Sequence, residues 1–219
     1  MFRSSVCKIA ISGLLCTFGS GFAQTLEKMT WFNEPAQWEI KNSTLSMFVT
    51  PQSDYWRISH YGFTVDDAPF YYGTYGGEFE AKVKITGQYK ARFDQMGLML
   101  RIDKENYIKA GIEFVDGKYN LSTVVTHHTS DWSVIALDKI PPAVWIKVVR
   151  RLDAVEIFYS FDDRTYTMMR NAYLQDNTPV MVGLMAACPD GQGFKALFEN
   201  FTVQHLPDQR RLQWLKDHK

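Results

Sequence analysis

Hydrophobic and polar residues alternate with a period of two along most of this chain. The clearest run lies in residues 77–86, where Phe, Ala, Val and Ile alternate with Glu and Lys. Such alternation is typical of a β-strand with one face on a core and the other in water. Similar runs occupy residues 45–50, 55–59, 96–102, 107–115, 119–126, 144–151, 155–161, 180–186 and 197–203. Turn signals such as Asp116-Gly117 and Pro141-Pro142 separate the runs, so the chain is predicted to be an all-β sandwich.

Two segments depart from this alternation. Val180–Ala187 is apolar on both parities, which predicts a central strand covered on both faces. After Pro207, charged residues surround Leu212 and Trp214, and Asp208 is a candidate cap for one or two helical turns. We expect a loosely docked tail in preference to a helix there, because charged chain ends usually remain mobile.

Residues 1–23 have the layout of a secretory signal peptide. Arg3 and Lys8 bracket the start of the chain, the apolar run Ile9–Phe18 follows, and small residues precede an expected cut after Ala23. The run is shorter than the roughly twenty residues of a membrane span. We therefore expect a secreted or periplasmic chain without stable membrane insertion after cleavage. The predicted organisation is a signal peptide at 1–23, a β-sandwich domain at 24–205 and a short charged tail at 206–219.

The net charge limits the expected binding partners, and the cysteine content limits the possible disulfides. The formal net charge is zero, and it becomes slightly negative once Arg3 and Lys8 are removed, so nucleic acid is not an expected partner. Cleavage also removes Cys7 and Cys16, which leaves Cys188 without an internal disulfide partner. Lipidation at Cys16 is the less favoured alternative, because leucines precede it where a small residue is expected.

Three consecutive predicted strands carry polar residues on one face. If the connections at 103–106 and 116–118 are hairpins, alternation places these side chains on one surface: Gln95, Arg101, Lys109, Glu113, Ser122 and Thr126. Gly97 and Gly111 share that face and predict a shallow depression in it, because glycine in a strand lets another group approach the backbone closely.

This surface has two interpretations. In the first it is the solvated face of an antiparallel sheet, with Glu113 paired to Lys109 or Arg101. In the second it binds a neutral, hydroxyl-rich ligand such as an oligo- or polysaccharide, because its side chains offer both hydrogen-bond donors and acceptors. Trp132 or Trp56 would then offer a ring face for stacking.

Catalysis has weaker support than binding. Glycoside hydrolysis needs two facing carboxyl groups, and the face clearly provides only Glu113. Asp94 has the opposite parity, and Asp131 lies in a predicted loop beside Trp132, where it is also a candidate ligand contact. Cations on the same face are expected to keep Glu113 ionised, which suits a binding contact better than a general acid.

The sequence predicts no metal site and no other cofactor. Adjacent His127 and His128 on a strand would point to opposite faces, so they could not share one ion without a bulge. Asp66-Asp67 and Asp162-Asp163 lack the spaced oxygen ligands of a calcium loop.

Motifs along the chain resemble those of a known family. This chain resembles the domain-of-unknown-function family 1349 in four successive segments: DQMGLMLR at 94–101, KAGIE at 109–113, LSTVVT at 121–126 and SDWS at 130–133. The resemblance extends over roughly 30–205 through DYWR at 54–57, YSFD at 159–162, Arg170 and FENF at 198–201. Similar proteins often have Asp-Gly and then Trp in the late hairpin, where this chain has Asp162-Asp163 and then Tyr166.

The resemblance implies a concanavalin A-like jelly-roll β-sandwich of two curved antiparallel sheets. In that superfamily the concave sheet usually carries the ligand site. The family is defined without an activity, so the resemblance implies a fold and no reaction.

Pattern and resemblance together predict a lectin-like, carbohydrate-binding protein and favour binding over catalysis. The predicted ligand contacts are Gln95, Arg101, Lys109, Glu113, Thr126, Asp131, Trp132 and Trp56. One alternative is a glycoside-active enzyme that uses Glu113 with Asp94 or Asp131. The other is a protein–protein interaction module whose polar face is inert scaffold.

Overall fold

A computed structural model describes residues 26–218 of the chain. Two seven-stranded antiparallel sheets pack face to face, which confirms the predicted jelly-roll sandwich. The front sheet contains, in spatial order, β1 (Thr30–Phe32), β6 (Phe70–Tyr75), β15 (Val180–Ala187), β8 (Gln95–Asp103), β9 (Asn106–Val115), β10 (Lys118–His127) and β11 (Thr129–Ala136). The back sheet contains β14 (Thr167–Tyr173), β13 (Ala154–Ser160), β12 (Val144–Arg151), β7 (Phe79–Gly87), β16 (Lys195–His205), β3 (Thr44–Phe48) and β2 (Gln37–Lys41).

Three smaller elements complete the described chain. A 3-10 helix covers Leu26–Lys28, a two-stranded hairpin pairs β4 (Tyr55–Arg57) with β5 (Thr64–Asp66), and helix α1 covers Gln209–Asp217. The hairpin belongs to neither sheet. It lies over the outer face of the front sheet, and this position decides where the candidate site forms.

The main core lies between the two sheets and follows from the alternation. Phe79, Val83 and Ile85 of β7 are fully buried on its inner face, while lysines and glutamates take the outer face. Strand β15 is covered on both sides, as predicted. Val182 faces the main core, whereas Met185 belongs to a second apolar cluster beneath the hairpin.

The polar face predicted on three strands is confirmed by their register. Gln95 of β8 lies opposite Glu113 of β9, and Ser122 of β10 lies opposite Gly111. The predicted depression at Gly97 and Gly111 is not a ligand-sized space. A Cβ on Gly97 would fall on the Ala110 carbonyl oxygen of the next strand, so the glycines admit neighbouring backbone. The void beside them measures about 10 Å³.

The tail after the sandwich forms a helix. The sequence favoured a loosely docked tail over a helix there. Asp208 caps α1 by accepting hydrogen bonds from the backbone N–H groups of Arg210 and Arg211. The buried Glu78 carboxylate accepts a third from the N–H of Gln209 and so ties the start of the helix to the sandwich. Within the described residues no helix is long and apolar enough to cross a membrane. The predicted signal peptide lies outside the described residues.

Candidate functional site

Residues 53–68, which we call the covering segment, cross the outer face of the front sheet. Its hairpin buries Tyr55 completely against the front sheet, where the Tyr55 and Tyr107 rings meet edge to face with centroids 6.1 Å apart. Ser53 exchanges backbone hydrogen bonds with Cys188 at one end of the segment. The backbone N–H of Arg57 donates to Ser130 Oγ, 3.0 Å away on β11. The polar face of the front sheet is therefore covered and not solvated.

Two carboxylates of the covering segment neutralise the two buried cations of the front sheet. Arg101 is 4% exposed and forms a two-pronged pair with Asp66, with Nη1–Oδ1 and Nη2–Oδ2 distances of 2.6 and 2.7 Å. Lys109 is 3% exposed, and its Nζ lies 3.1 Å from Asp54 Oδ1. The predicted pairing of Glu113 with these cations is wrong, because a nearer carboxylate arrives from a distant part of the chain. Glu113 makes no ion pair within 4.0 Å among residues 26–218.

Glu113 is instead held by neutral donors. Its carboxylate is 5% exposed, and its Oε2 accepts hydrogen bonds from Ser122 Oγ at 2.7 Å and Trp132 Nε1 at 2.8 Å. Burial raises the pKa of Glu113, although the Lys109 charge and both hydrogen bonds act in the opposite direction. The sequence predicted the effect of the neighbouring cation and missed the larger effect of burial, which sets the direction of the shift.

A pocket of about 290 Å³ opens between the covering segment and the front sheet. Its polar floor is formed by Asp54, Gln95, Lys109 and Glu113. Its aromatic walls are formed by Trp56, Tyr61, Phe63, Phe93 and Trp132. Val124, Arg92, Pro189 and Asp190 complete the lining. Polar side chains and aromatic side chains together give the pocket both hydrogen-bonding and stacking capacity.

The aromatic walls are built from mutual contacts. Tyr61 and Phe63 stack with ring centroids 5.6 Å apart, and Phe93 meets Trp132 edge to face at 6.2 Å. The turn that carries Tyr61 and Phe63 requires left-handed backbone at two non-glycine residues, Ile58 (φ 63°) and His60 (φ 65°). This conformation is rare, above all for a β-branched residue, and persists where surrounding contacts enforce it.

Five of the eight predicted contacts meet in this pocket: Trp56, Gln95, Lys109, Glu113 and Trp132. The other three do not line it. Arg101 is sealed beneath the hairpin with Asp66, and Thr126 is buried with its hydroxyl 2.9 Å from Ser130 Oγ. Asp131 is not in the pocket because it alternates with Trp132 on β11 and so lies on the other side, where it pairs with Arg170 at 2.8 Å.

Asp94 is also excluded as a second pocket carboxyl. It is fully buried, and its Oδ2 accepts hydrogen bonds from the backbone N–H groups of Lys90 and Ala91 at 2.7 and 2.9 Å. Asp94 therefore fixes the loop before β8. The carboxyls that line the pocket with Glu113 are those of Asp54 and Asp190, and sequence reasoning missed Asp54 as a site residue.

Other lining residues that sequence reasoning missed are Tyr61, Phe63, Arg92, Phe93, Pro189 and Asp190. One signal could have indicated the covering segment. Two cations on a buried strand face require counter-charges, and residues 54–67 combine three aspartates with a dense run of aromatics.

The pocket can offer hydrogen bonds, ring stacking and a carboxyl with a raised pKa. Gln95 both donates and accepts, Lys109 donates, and Asp54 accepts. The described residues contain no group of three or more His, Cys, Asp or Glu side chains placed to hold a metal ion.

Comparison with known proteins identifies a family and relatives in yeast. A family model described as "Protein of unknown function (DUF1349)" matches residues 31–206. "Regulation of enolase protein 1" of Saccharomyces cerevisiae is 33% identical over 178 residues, which cover 81% of this chain and 90% of that protein. The crystal structure of a functionally unknown protein from Saccharomyces cerevisiae is similar, with 32% identity and a TM-score of 0.81. That match covers 84% of this chain and 100% of the yeast chain.

The fold is also similar to that of glycoside hydrolases. A xylan beta-1,4-xylosidase from Bacillus halodurans C-125 matches with a TM-score of 0.65 and 13% identity over 84% of this chain. The chain spans 39% of that enzyme's length. At this identity the likeness shows the concanavalin A-like fold alone.

The predicted secreted or periplasmic location is wrong. The yeast relative is named for the regulation of enolase, a role that conflicts with a secreted or periplasmic protein. The prediction depended on residues 1–23, which lie outside the described residues.

Replacing Glu113 by Gln tests the raised pKa through stability. Below the ordinary value of 4.5 both folded and unfolded states carry the proton, and the stabilising contribution is complete. As pH rises through the higher folded pKa, that contribution is lost. Glu113→Gln cannot ionise, so its melting temperature relative to wild type should rise between about pH 4 and pH 8.

The control is Glu39→Gln, at an exposed position on β2 of the back sheet. Its difference from wild type should stay constant in the same calorimetric series. A Glu113→Gln difference that is equally constant across the pH range would contradict the assigned burial effect.

Proposed function

This chain belongs to the family described as "Protein of unknown function (DUF1349)", and we propose from the geometry of its pocket that it is a carbohydrate-binding protein. The ligand is an oligo- or polysaccharide that enters between the covering segment and the front sheet. The observation that carries the proposal is a polar floor enclosed by five aromatic side chains.

Sugar chemistry matches this division of the pocket. A pyranose ring has apolar C–H faces, which stack on aromatic rings, and a hydroxyl-bearing edge, which requires both donors and acceptors. Trp132 and Phe63 would contact the ring faces. Gln95, Lys109 and Asp54 would bind the hydroxyl groups at the base.

The size of the pocket favours the end of a saccharide over a long internal stretch. Small-molecule pockets usually measure roughly 300–1,000 Å³, and this pocket lies at the lower limit with about 290 Å³. The covering segment contributes Asp54 from one side, and the loop after β15 contributes Asp190 from another. One or two sugar units suit this space.

Two of the residues first predicted as contacts, Arg101 and Thr126, take supporting roles in this proposal. Arg101 fixes the covering segment through Asp66, and Thr126 contacts Ser130 close to the point where Arg57 is anchored. These residues hold the pocket wall in place and do not touch the saccharide.

Removing an aromatic side chain at the mouth tests the proposal without disturbing the core. Phe63 is 45% exposed and stacks on Tyr61. Phe63→Ala should weaken binding of the best oligosaccharide about fivefold to tenfold, because an aromatic stacking contact contributes roughly 1 kcal/mol. Calorimetric titration against a panel of common oligosaccharides measures the change.

The matched control is Phe161→Ala, at a similarly exposed phenylalanine that follows β13 in the back sheet. It should leave the affinity unchanged. The proposal fails if wild type binds none of the panel, or if both phenylalanine variants weaken binding equally.

A second candidate is a glycoside-active enzyme, which one specific observation favours. Burial raises the pKa of Glu113, and a proton-bearing carboxyl is what a general acid requires. Asp54, in the same pocket, would be the second carboxyl in place of Asp94 or Asp131. The glycoside hydrolase neighbours support the fold of such an enzyme and not its reaction.

Release of reducing ends from an oligosaccharide distinguishes the two candidates. The enzyme candidate predicts release that Glu113→Gln abolishes and that Asp131→Asn, outside the pocket, leaves unchanged. Saccharide binding without any release by wild type would reject catalysis and leave the binding proposal in place.

A further inference from the structure

We propose that the pocket prefers a saccharide that carries an ammonium group, such as an amino sugar with a free amine. This inference rests on the proposed function and specifies the charge class of its ligand. It follows from a count of buried charges together with the shape of the aromatic walls.

The buried and half-buried charges between the covering segment and the front sheet do not balance. Arg101 is neutralised by Asp66, and Lys109 is neutralised by Asp54. Glu113 lines the same pocket with neutral donors as its hydrogen-bond partners. Glu113 has no cation within ion-pair distance among residues 26–218, and burial disfavours its ionised form. A positive charge on the ligand would stabilise that form.

The charged groups at the mouth of the pocket do not remove this excess of negative charge. Arg92 and Asp190 also line the pocket. The Arg92 guanidinium lies over the Phe93 ring, 4.6 Å from its centroid, and its Nε is 3.6 Å from Asp116 Oδ1. Counting every lining residue gives three carboxylates, Asp54, Glu113 and Asp190, against two cations.

The aromatic walls favour a cation as well as a sugar ring. An ammonium group within about 6 Å of an aromatic ring centre is attracted by the negative face of the ring. Trp132 combines both features, because its ring borders the pocket and its Nε1 donates to Glu113 Oε2 at 2.8 Å. A ligand amine that reaches Glu113 would therefore lie beside an aromatic ring.

Lys109 does not oppose this arrangement. Its Nζ is paired with Asp54 Oδ1 at 3.1 Å, and its charge is already compensated. An ammonium group on the ligand would give ionised Glu113 an opposite charge in addition to a hydrogen bond. A hydroxyl or acetamide group at the same position could not supply this charge.

Three sugars that differ at one substituent test the preference. The trisaccharides of β-1,4-linked glucosamine, N-acetylglucosamine and glucose share a backbone and carry an ammonium, an acetamide and a hydroxyl at C2. Calorimetric titration of wild type near neutral pH should give the glucosamine trisaccharide an affinity about tenfold or more above the other two. Glu113→Gln should reduce that ratio to about threefold or less, whereas Asp131→Asn should preserve it.

The wild-type ranking decides the inference even where Glu113→Gln does not fold. Equal affinities, or tighter binding of either neutral trisaccharide, would overturn the ammonium preference and leave saccharide binding standing. A preference that survives in folded Glu113→Gln would also overturn it, because the amine would then contact another group. If none of the trisaccharides and none of the wider panel binds, saccharide binding fails and the ammonium preference fails with it.

Discussion

The arrangement of the site depends on two cations that are buried on the outer face of the front sheet. Arg101 and Lys109 are almost inaccessible to water, and an unpaired charge in such a place would cost many kcal/mol. Asp66 and Asp54 supply the counter-charges from the covering segment. The same segment then provides Trp56, Tyr61 and Phe63 to the pocket. When the covering segment packs on the front sheet, it therefore both neutralises the buried cations and forms the pocket.

The sequence pattern predicted the sheet better than it predicted the site. Parity correctly placed Gln95, Lys109 and Glu113 on one face, and it correctly identified β15 as a strand covered on both sides. Periodicity is a local property, however, and the partners of that face come from far along the chain. Asp66 lies 35 residues from Arg101, and Asp54 lies 55 residues from Lys109.

Sequence reasoning misplaced several residues because their contacts cannot be predicted from the alternation of apolar and polar residues. Thr126 has the predicted parity but is buried against Ser130, and Asp131 was assigned to a loop whereas it lies within β11. The pKa of Glu113 was predicted from nearby cations, yet its burial has the larger effect. Burial depends on what covers a strand, which the pattern of the strand itself does not report.

The fold leaves the choice of function to this pocket. Similar sandwiches occur in a yeast protein of unknown function and in glycoside hydrolases, so the architecture is compatible with several roles. The pocket reduces the number of candidate roles, because its aromatic walls favour a ring-shaped ligand. Glu113 is central to both proposals: its ionised form carries the charge preference, and its protonated form carries the second, catalytic candidate.

The most direct test of this account is a double-mutant cycle on the pair that fixes the covering segment. Arg101→Met, Asp66→Asn and the double variant would be compared with wild type by urea unfolding. The account predicts that Asp66→Asn alone costs about 3 kcal/mol, because it leaves Arg101 buried and unpaired, and that the pair shows a coupling energy of about 2 kcal/mol. A coupling energy near zero would show that the ion pair does not hold the covering segment, and would contradict the account.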